Sequence, residues 1–247
     1  MPDGRQPEDP EPSTPHCLIA GAGIAGLAAA LFIARAGWLV TICDREISLQ
    51  EVGAGLQLAA NSTRLLAPLG LIDDLDDIAV EPTTMKVWKA LDGRVISQSD
   101  LGEKAAKRFG APFLVTHRAD LQNALIRRVE KNPAITLKLG VRLTDIREHE
   151  GGIAGLFETG EGVETRIEAD LLIGADGLWS RARTLSGLPG PSRYTGKTAW
   201  RTTIAREEAP VFAREAEVNL WMGPDAHLVH YPVCGGRDIN IVAIIED

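Results

Sequence analysis

The chain has 247 residues, 45% of them apolar and 24% charged, an ordinary globular composition that excludes disordered, collagen-like and membrane-embedded classes. A net charge of -8, with basic residues scattered along the chain, excludes the clustered cationic face that nucleic-acid binding requires. The cysteines Cys17, Cys43 and Cys234 are far apart and odd in number, so neither a disulfide framework nor a zinc site is expected, and the cytoplasm is the natural compartment.

Residues 1–15 are Pro-rich and acidic and read as a disordered leader with no targeting signal. The uncharged run from Leu18 to Ala34 is at the short end for a membrane span, is preceded by an acidic, Pro-rich stretch rather than a basic one, and carries a glycine pattern. His16 to Ala20 reads as a buried strand, Ile24 to Ala36 as an Ala/Leu-rich helix stopped by Gly37, and Trp38 to Cys43 as a second buried strand. This βαβ unit predicts a parallel sheet with a right-handed crossover. Asn61 is placed to cap a helix running toward Gly70, and Asp73 to Ile78 reads as a short helical turn. Thr84 to Ala90 and Arg94 to Ser97 flank Leu91-Asp92-Gly93, a hairpin signal. Arg118 to Lys131 is a helix stopped before Pro133. Ile135 to Leu139, Arg142 to Glu148, Ile153 to Glu158 and Glu164 to Glu168 read as a β-meander, and Asp170 to Ile173 as one more buried strand. Ser180 to Leu185 reads as a short basic helix. From Lys197 the pattern changes to strands alone, at Lys197 to Ala205, Glu217 to Met222, His227 to Val233 and Asp238 to Ile245, which predicts an antiparallel sheet.

Gly21-Ala22-Gly23-Ile24-Ala25-Gly26 is a GxGxxG between a strand and a helix. Gly21 permits the tight turn, Gly23 lets a pyrophosphate approach the backbone, and Gly26 lets the helix pack on the strand. The phosphates meet the N–H groups of the helix start, at Ile24 and Ala25. Asp44 follows the second strand about 20 residues on, where a carboxylate reaches ribose hydroxyls; NAD and FAD both fit. Gly174-Ala175-Asp176-Gly177 places a second carboxylate at a strand end, where it either serves a ribose or phosphate network or is simply a turn. Arg118 at a helix start opposes the helix dipole, a cost that a nearby phosphate would offset; a plain surface arginine is the alternative. Gly53 and Gly55 would let a flat ligand approach the backbone, or simply form the loop before a helix. On a strand over 227–233, His227 and Tyr231 share a face and His230 points the other way. A His/Tyr pair on one face suits holding and deprotonating a phenol, and a satisfied core histidine is the competing reading.

Taken in order, these motifs resemble the single-component flavoprotein aromatic hydroxylases of the p-hydroxybenzoate hydroxylase fold, nearest the salicylate hydroxylase, 3-hydroxybenzoate 6-hydroxylase and 6-hydroxynicotinate 3-monooxygenase types. The stretches that carry the resemblance are GAGIAGL (21–27), GAGLQLAANSTRLLAPLGL (53–71), HRADLQNAL (117–125), GADGLWSRAR (174–183), YTGKTAWRTTI (194–204) and HLVHYPV (227–233). The resemblance implies an α/β fold: a Rossmann-type FAD-binding domain at 16–80 and 105–186 with a parallel sheet and β-meander, and an antiparallel substrate-domain sheet at 81–104 and 187–247. It implies that Gly21, Gly23 and Gly26 cradle the FAD pyrophosphate, that Asp44 with Arg45 holds the adenosine ribose, and that Arg118 contacts FAD near its phosphates. Asp176 and Gly177 match an element linked to FAD and NAD(P)H handling, and Gly55 would lie near the isoalloxazine. His227 would act as base toward the substrate phenol, with Tyr231 orienting.

The implied activity is NADH- or NADPH-driven hydroxylation of a phenolic or aromatic-acid substrate with O2 through a flavin C4a-hydroperoxide. Arg201 and Arg193 are candidates for a substrate carboxylate. A homodimer is compatible with this reading; nucleic acid and membrane are not expected partners. The resemblance also implies a GDAAH-type second flavin motif beyond the antiparallel sheet. None occurs here, so an N-terminal fragment is expected. The alternatives are a non-catalytic flavin-binding remnant and a same-fold FAD oxidoreductase with a non-aromatic substrate.

Overall fold

A computed structural model describes residues 14–49, 54–190 and 192–246. Most of the leader, together with Gly53, lies outside the described residues. In chain order the first elements are β1 (His16–Ala20), α1 (Ile24–Arg35), β2 (Leu39–Cys43), β3 (Gly55–Leu58) and α2 (Ala60–Leu66). The hairpin β4 (Thr84–Lys89) and β5 (Arg94–Asp100) follows, then α3 (Glu103–Phe109), β6 (Leu114–His117) and α4 (Arg118–Glu130). Next come β7 (Ile135–Lys138), β8 (Val141–His149), β9 (Gly152–Thr159), β10 (Glu164–Ala169), β11 (Leu171–Gly174) and α5 (Arg181–Leu185). The last four strands are β12 (Lys197–Ala205), β13 (Glu217–Met222), β14 (Ala226–Val233) and β15 (Asp238–Glu246).

Strands β11, β1, β2 and β7 form a parallel sheet in that order. Its central strands are apolar on both faces because both faces are covered. On one side Ile19 and Ile42 pack with Leu27 and Leu31 of α1 and with Leu121 and Leu125 of α4. On the other, Leu18, Ala20 and Cys43 meet Leu143 and Phe157 of the meander and Ala182 of α5. Helix α1 is rich in Ala and Leu, strong helix formers, and ends as the glycine predicts. Gly37 takes φ +90°, its N–H bonding the Ala34 carbonyl and that of Trp38 bonding the Ile33 carbonyl, a Schellman stop.

The second large sheet is six-stranded, in the order β12–β15–β14–β13–β4–β5. It meets the first part of the molecule along a seam where Val115 of β6 packs with Val218, Tyr231 and Val233. The mixed α/β fold with two sheets of different character is the one expected.

Several local expectations are corrected. Residues 135–138 join the parallel sheet beside β2, because α4 carries the chain back across it, and the meander is the three strands β8, β9 and β10. The six-stranded sheet is not wholly antiparallel: β13 pairs in parallel with β4, which is brought in from more than a hundred residues earlier. Asn61 lies inside α2, whose cap is Ala59, and its Oδ1 accepts the Ser62 N–H instead. The short pair β3–β6 and the helix α3 were not anticipated.

Candidate functional site

The turn after β1 is built by two glycines that touch other backbone. A Cβ on Gly21, which takes φ +106°, would overlap the Ala175 carbonyl, and one on Gly26 would overlap the Gly21 carbonyl. The strand, the first turn of α1 and the loop after β11 therefore close on one another without side chains between them. Gly23 differs: nothing lies within 4 Å of where its Cβ would be. It is the N-cap of α1 and supplies no side-chain hydrogen bond, so the amides of Ile24 and Ala25 head the helix uncapped, and the first turn carries no acidic residue.

These elements open onto a cleft of about 670 Å³. Its floor and rims include Gly21, Gly23, Asp44, Arg45, Asp176 and Gly177. The opposite wall is the meander edge, with residues 141–144 of β8 and Phe157 of β9. Asp44 directly follows β2 and ties the cleft together: its Oδ2 accepts the Ala22 N–H at 2.6 Å and its Oδ1 the Glu46 N–H at 2.9 Å. Each oxygen keeps acceptor capacity for a further donor. Arg45 is exposed and pairs with Glu46 at 3.2 Å.

Asp176 organises the far side. Its Oδ1 accepts the Ser180 hydroxyl at 2.5 Å, and its Oδ2 accepts the N–H groups of Arg181 and Ala182 at 2.6 and 3.0 Å. The carboxylate thus secures the start of α5, while Gly177 turns the chain at φ +76°.

Arg118, Gly55, His227 and Tyr231 do not line this cleft; Gly55 and Tyr231 meet at the seam. Arg118 opens α4, and its backbone N–H donates to the Ala54 carbonyl at 2.8 Å. The side of Gly55 that would carry a Cβ faces Tyr231 and Asn240. The strand parity of β14 is as expected: Tyr231 packs inward on the seam with Val229, and His230 packs on the other face against Trp221 and Phe212. His227 stands opposite Ile244 and Met222, half-buried on the Tyr231 face. Burial pushes the Tyr231 phenol up to about 12, a shift that Arg201 moderates, so it stays protonated as a donor at neutral pH. Burial lowers the His230 imidazole, partly countered by Glu217, so that ring is neutral.

The residues missed in the sequence are the meander wall at 141–144, Phe157, Glu46, Trp179 and Arg181, together with Asn240 at the seam. Only Glu46, Trp179 and Arg181 adjoin a recognised motif; the others reach their sites through long-range pairing.

An uncapped helix start, an open position at Gly23 and a carboxylate just after the second strand are what binding a dinucleotide's phosphates and ribose requires. The chain belongs to the family described as FAD binding domain, whose model it matches over residues 14–239. It is 35% identical to the FAD-dependent monooxygenase OpS4 of Beauveria bassiana over 94% of this chain and 55% of that protein. It is 34% identical to 3-amino-4-hydroxybenzoate 2-monooxygenase of Streptomyces cremeus, over 92% and 55%, and 32% identical to 3-hydroxybenzoate 6-hydroxylase of Polaromonas naphthalenivorans, over 91% and 55%. The chain thus spans about half the length of the curated relatives it matches. Its fold is shared with CtdE in complex with FAD and substrate (TM-score 0.81, 18% identical, 95% of this chain and 57% of that one). It is also shared with Klebsiella pneumoniae HpxO complexed with FAD and uric acid (TM-score 0.76, 23% identical, 92% and 56%). Among the described residues no helix is long and apolar enough to cross a membrane, and no group of metal-ligating side chains occurs.

Proposed function

We propose that this chain is the FAD-holding and substrate-sheet part of an NAD(P)H-consuming monooxygenase that hydroxylates a phenolic or aromatic-acid substrate in the cytoplasm. The observation that carries the reading is the open, uncapped start of α1 at Gly23, set between Asp44 and the Ala175–Gly177 turn. Named relatives at 32–35% identity act as monooxygenases on hydroxybenzoates or are FAD-dependent monooxygenases by name, which supports the same chemistry here.

Gly21 and Gly26 shape the turn, and the backbone at Gly23, Ile24 and Ala25 meets the pyrophosphate. Asp44, with Arg45 at the rim, accepts from the adenosine ribose. Asp176 and Gly177 hold the opposite lip. Arg118, at the start of α4 and outside the cleft lining, contacts FAD near its phosphates, and Gly55 takes part through its backbone alone. Bound flavin supplies the reduction by NAD(P)H and the oxygen transfer from O2. The protein's own chemistry falls to the Tyr231 face of the six-stranded sheet. There His227 takes the proton from the substrate hydroxyl at a ring nitrogen, which makes the ring more electron-rich. Tyr231, held protonated, donates a hydrogen bond that orients the ring. The division of labour follows two units: residues 16–80 and 105–186 for the flavin, and 81–104 and 187–247 for the substrate.

The test is NADH and NADPH consumption by the FAD-loaded protein with and without salicylate or 3-hydroxybenzoate. Substrate-stimulated consumption with hydroxylated product supports the reading. Flavin binding without any response to aromatic ligands overturns the aromatic assignment.

A further inference from the structure

Asn240 sits on β15 at 1% exposure, in register with Tyr231 of β14 and Thr203 of β12. Its Oδ1 accepts the Gly55 N–H at 2.8 Å, a contact between residues 185 positions apart. The segment at Ala54 and Gly55 is held from the other side as well. Gly55 pairs with His117 on β6, and the Ala54 carbonyl accepts the backbone N–H of Arg118. A Cβ on Gly55 would stand 2.6 Å from Asn240 Cγ and 2.7 Å from the Tyr231 hydroxyl. Asn240, Tyr231 and the loop backbone therefore meet in a space that exists because position 55 has no side chain.

The Gly55 bond also fixes which way the Asn240 amide lies, since the reversed amide would set NH2 against N–H. Its Nδ2 is then buried without a partner among the described residues. An orphan buried donor is a cost that an apolar residue of the same size would not incur. The amide's oxygen is what accounts for an amide here. An aspartate would provide the same acceptor but bury a charge.

We propose that Asn240 is a positioning residue that locks the Gly55 segment to the six-stranded sheet and thereby fixes the Tyr231 hydroxyl against that segment. The lock itself stands on geometry; its consequence for an aromatic ligand rests on the function proposed above.

Two readouts test it in wild type, Asn240→Asp and Asn240→Leu: hydrogen exchange of the Gly55 amide, with and without FAD, and the affinity for 3-hydroxybenzoate read from the flavin spectrum. Asn240→Leu speeds Gly55 exchange and weakens 3-hydroxybenzoate about tenfold each, the scale of one lost hydrogen bond. Asn240→Asp, which keeps an acceptor oxygen in either protonation state, restores both. Should Asn240→Leu fail to fold, Gly55→Ala, which forces Tyr231 and Asn240 apart, gives the same loss of ligand. Wild-type exchange at Gly55 in Asn240→Leu overturns the lock. If wild type takes up no FAD, the function reading fails, and Gly55 exchange in the FAD-free protein still decides the lock.

Discussion

The Asp44 carboxylate accepts the Ala22 N–H at 2.6 Å, tying the end of β2 to the glycine turn after β1. One side chain thus braces the phosphate loop and faces the cleft where a ribose would lie. Asp44→Ala removes the charge-assisted bonds to the Ala22 and Glu46 N–H groups, each worth about 1.5–3 kcal/mol, and the proposed ribose acceptor with them. FAD affinity, followed by quenching of flavin fluorescence, is expected to fall at least about tenfold. Unchanged affinity would show that the acid is a brace only.

The three glycines of the turn should separate in their effects. Gly21→Ala and Gly26→Ala drive a methyl into neighbouring backbone, and each should destabilise the fold by about 1–3 kcal/mol or more in denaturant melts. Gly23→Ala meets nothing and keeps an allowed extended conformation, at φ -69° and ψ 179°. It should melt close to wild type yet bind FAD more weakly, because its methyl points into the phosphate approach.

Asp176 receives three donors at the start of α5. Asp176→Ala should cost about 1.5–3 kcal/mol and expose the Arg181 and Ala182 amides to rapid hydrogen exchange. Protection of those amides in the variant would contradict the capping role.

His230 gives an acid-sensitive contribution to stability. It is 4% exposed, lies 6.4 Å from Trp221 and 6.1 Å from Phe212 between ring centroids, and neither ring nitrogen has a partner among the described residues. The folded imidazole titrates below its ordinary 6.5, first because of burial and despite the facing Glu217, which Lys86 pairs at 2.6 Å. Below pH 6.5 the unfolded chain takes up a proton that the folded one refuses. The contribution is therefore fully present above that pH and is lost as pH falls toward the folded value, at up to about 1.4 kcal/mol per pH unit. His230→Leu should flatten this slope between pH 6.5 and the acid limb; an identical slope would place the proton uptake elsewhere.

Local chemistry was legible where it is set by neighbours in the chain. The turn at Gly21, the stop at Gly37, the hairpin at Gly93 and the strand parity of His227, Tyr231 and His230 follow from short-range rules of backbone and pleat, and all appear in the fold. What the sequence did not reveal depends on pairing across distance. Ile135 to Lys138 alternates as a meander strand would, and only the crossover of α4 places it beside β2. The wall that residues 141–144 form opposite Asp44, and the reach of Asn240 to Gly55, join segments about 100 and 185 positions apart, which no local pattern records. Gly55 shows the same limit from the other side: nothing in its sequence neighbourhood records that Tyr231 and Asn240 fill the space where its Cβ would lie.

The most direct measurement is the visible absorbance spectrum of the purified chain after incubation with FAD and desalting. The cradle at Gly23, Asp44 and the Ala175–Gly177 turn predicts a yellow protein carrying close to one flavin per chain, with Gly23→Ala and Asp44→Ala markedly paler. A folded wild-type chain that emerges colourless would contradict the assignment of this cleft to FAD.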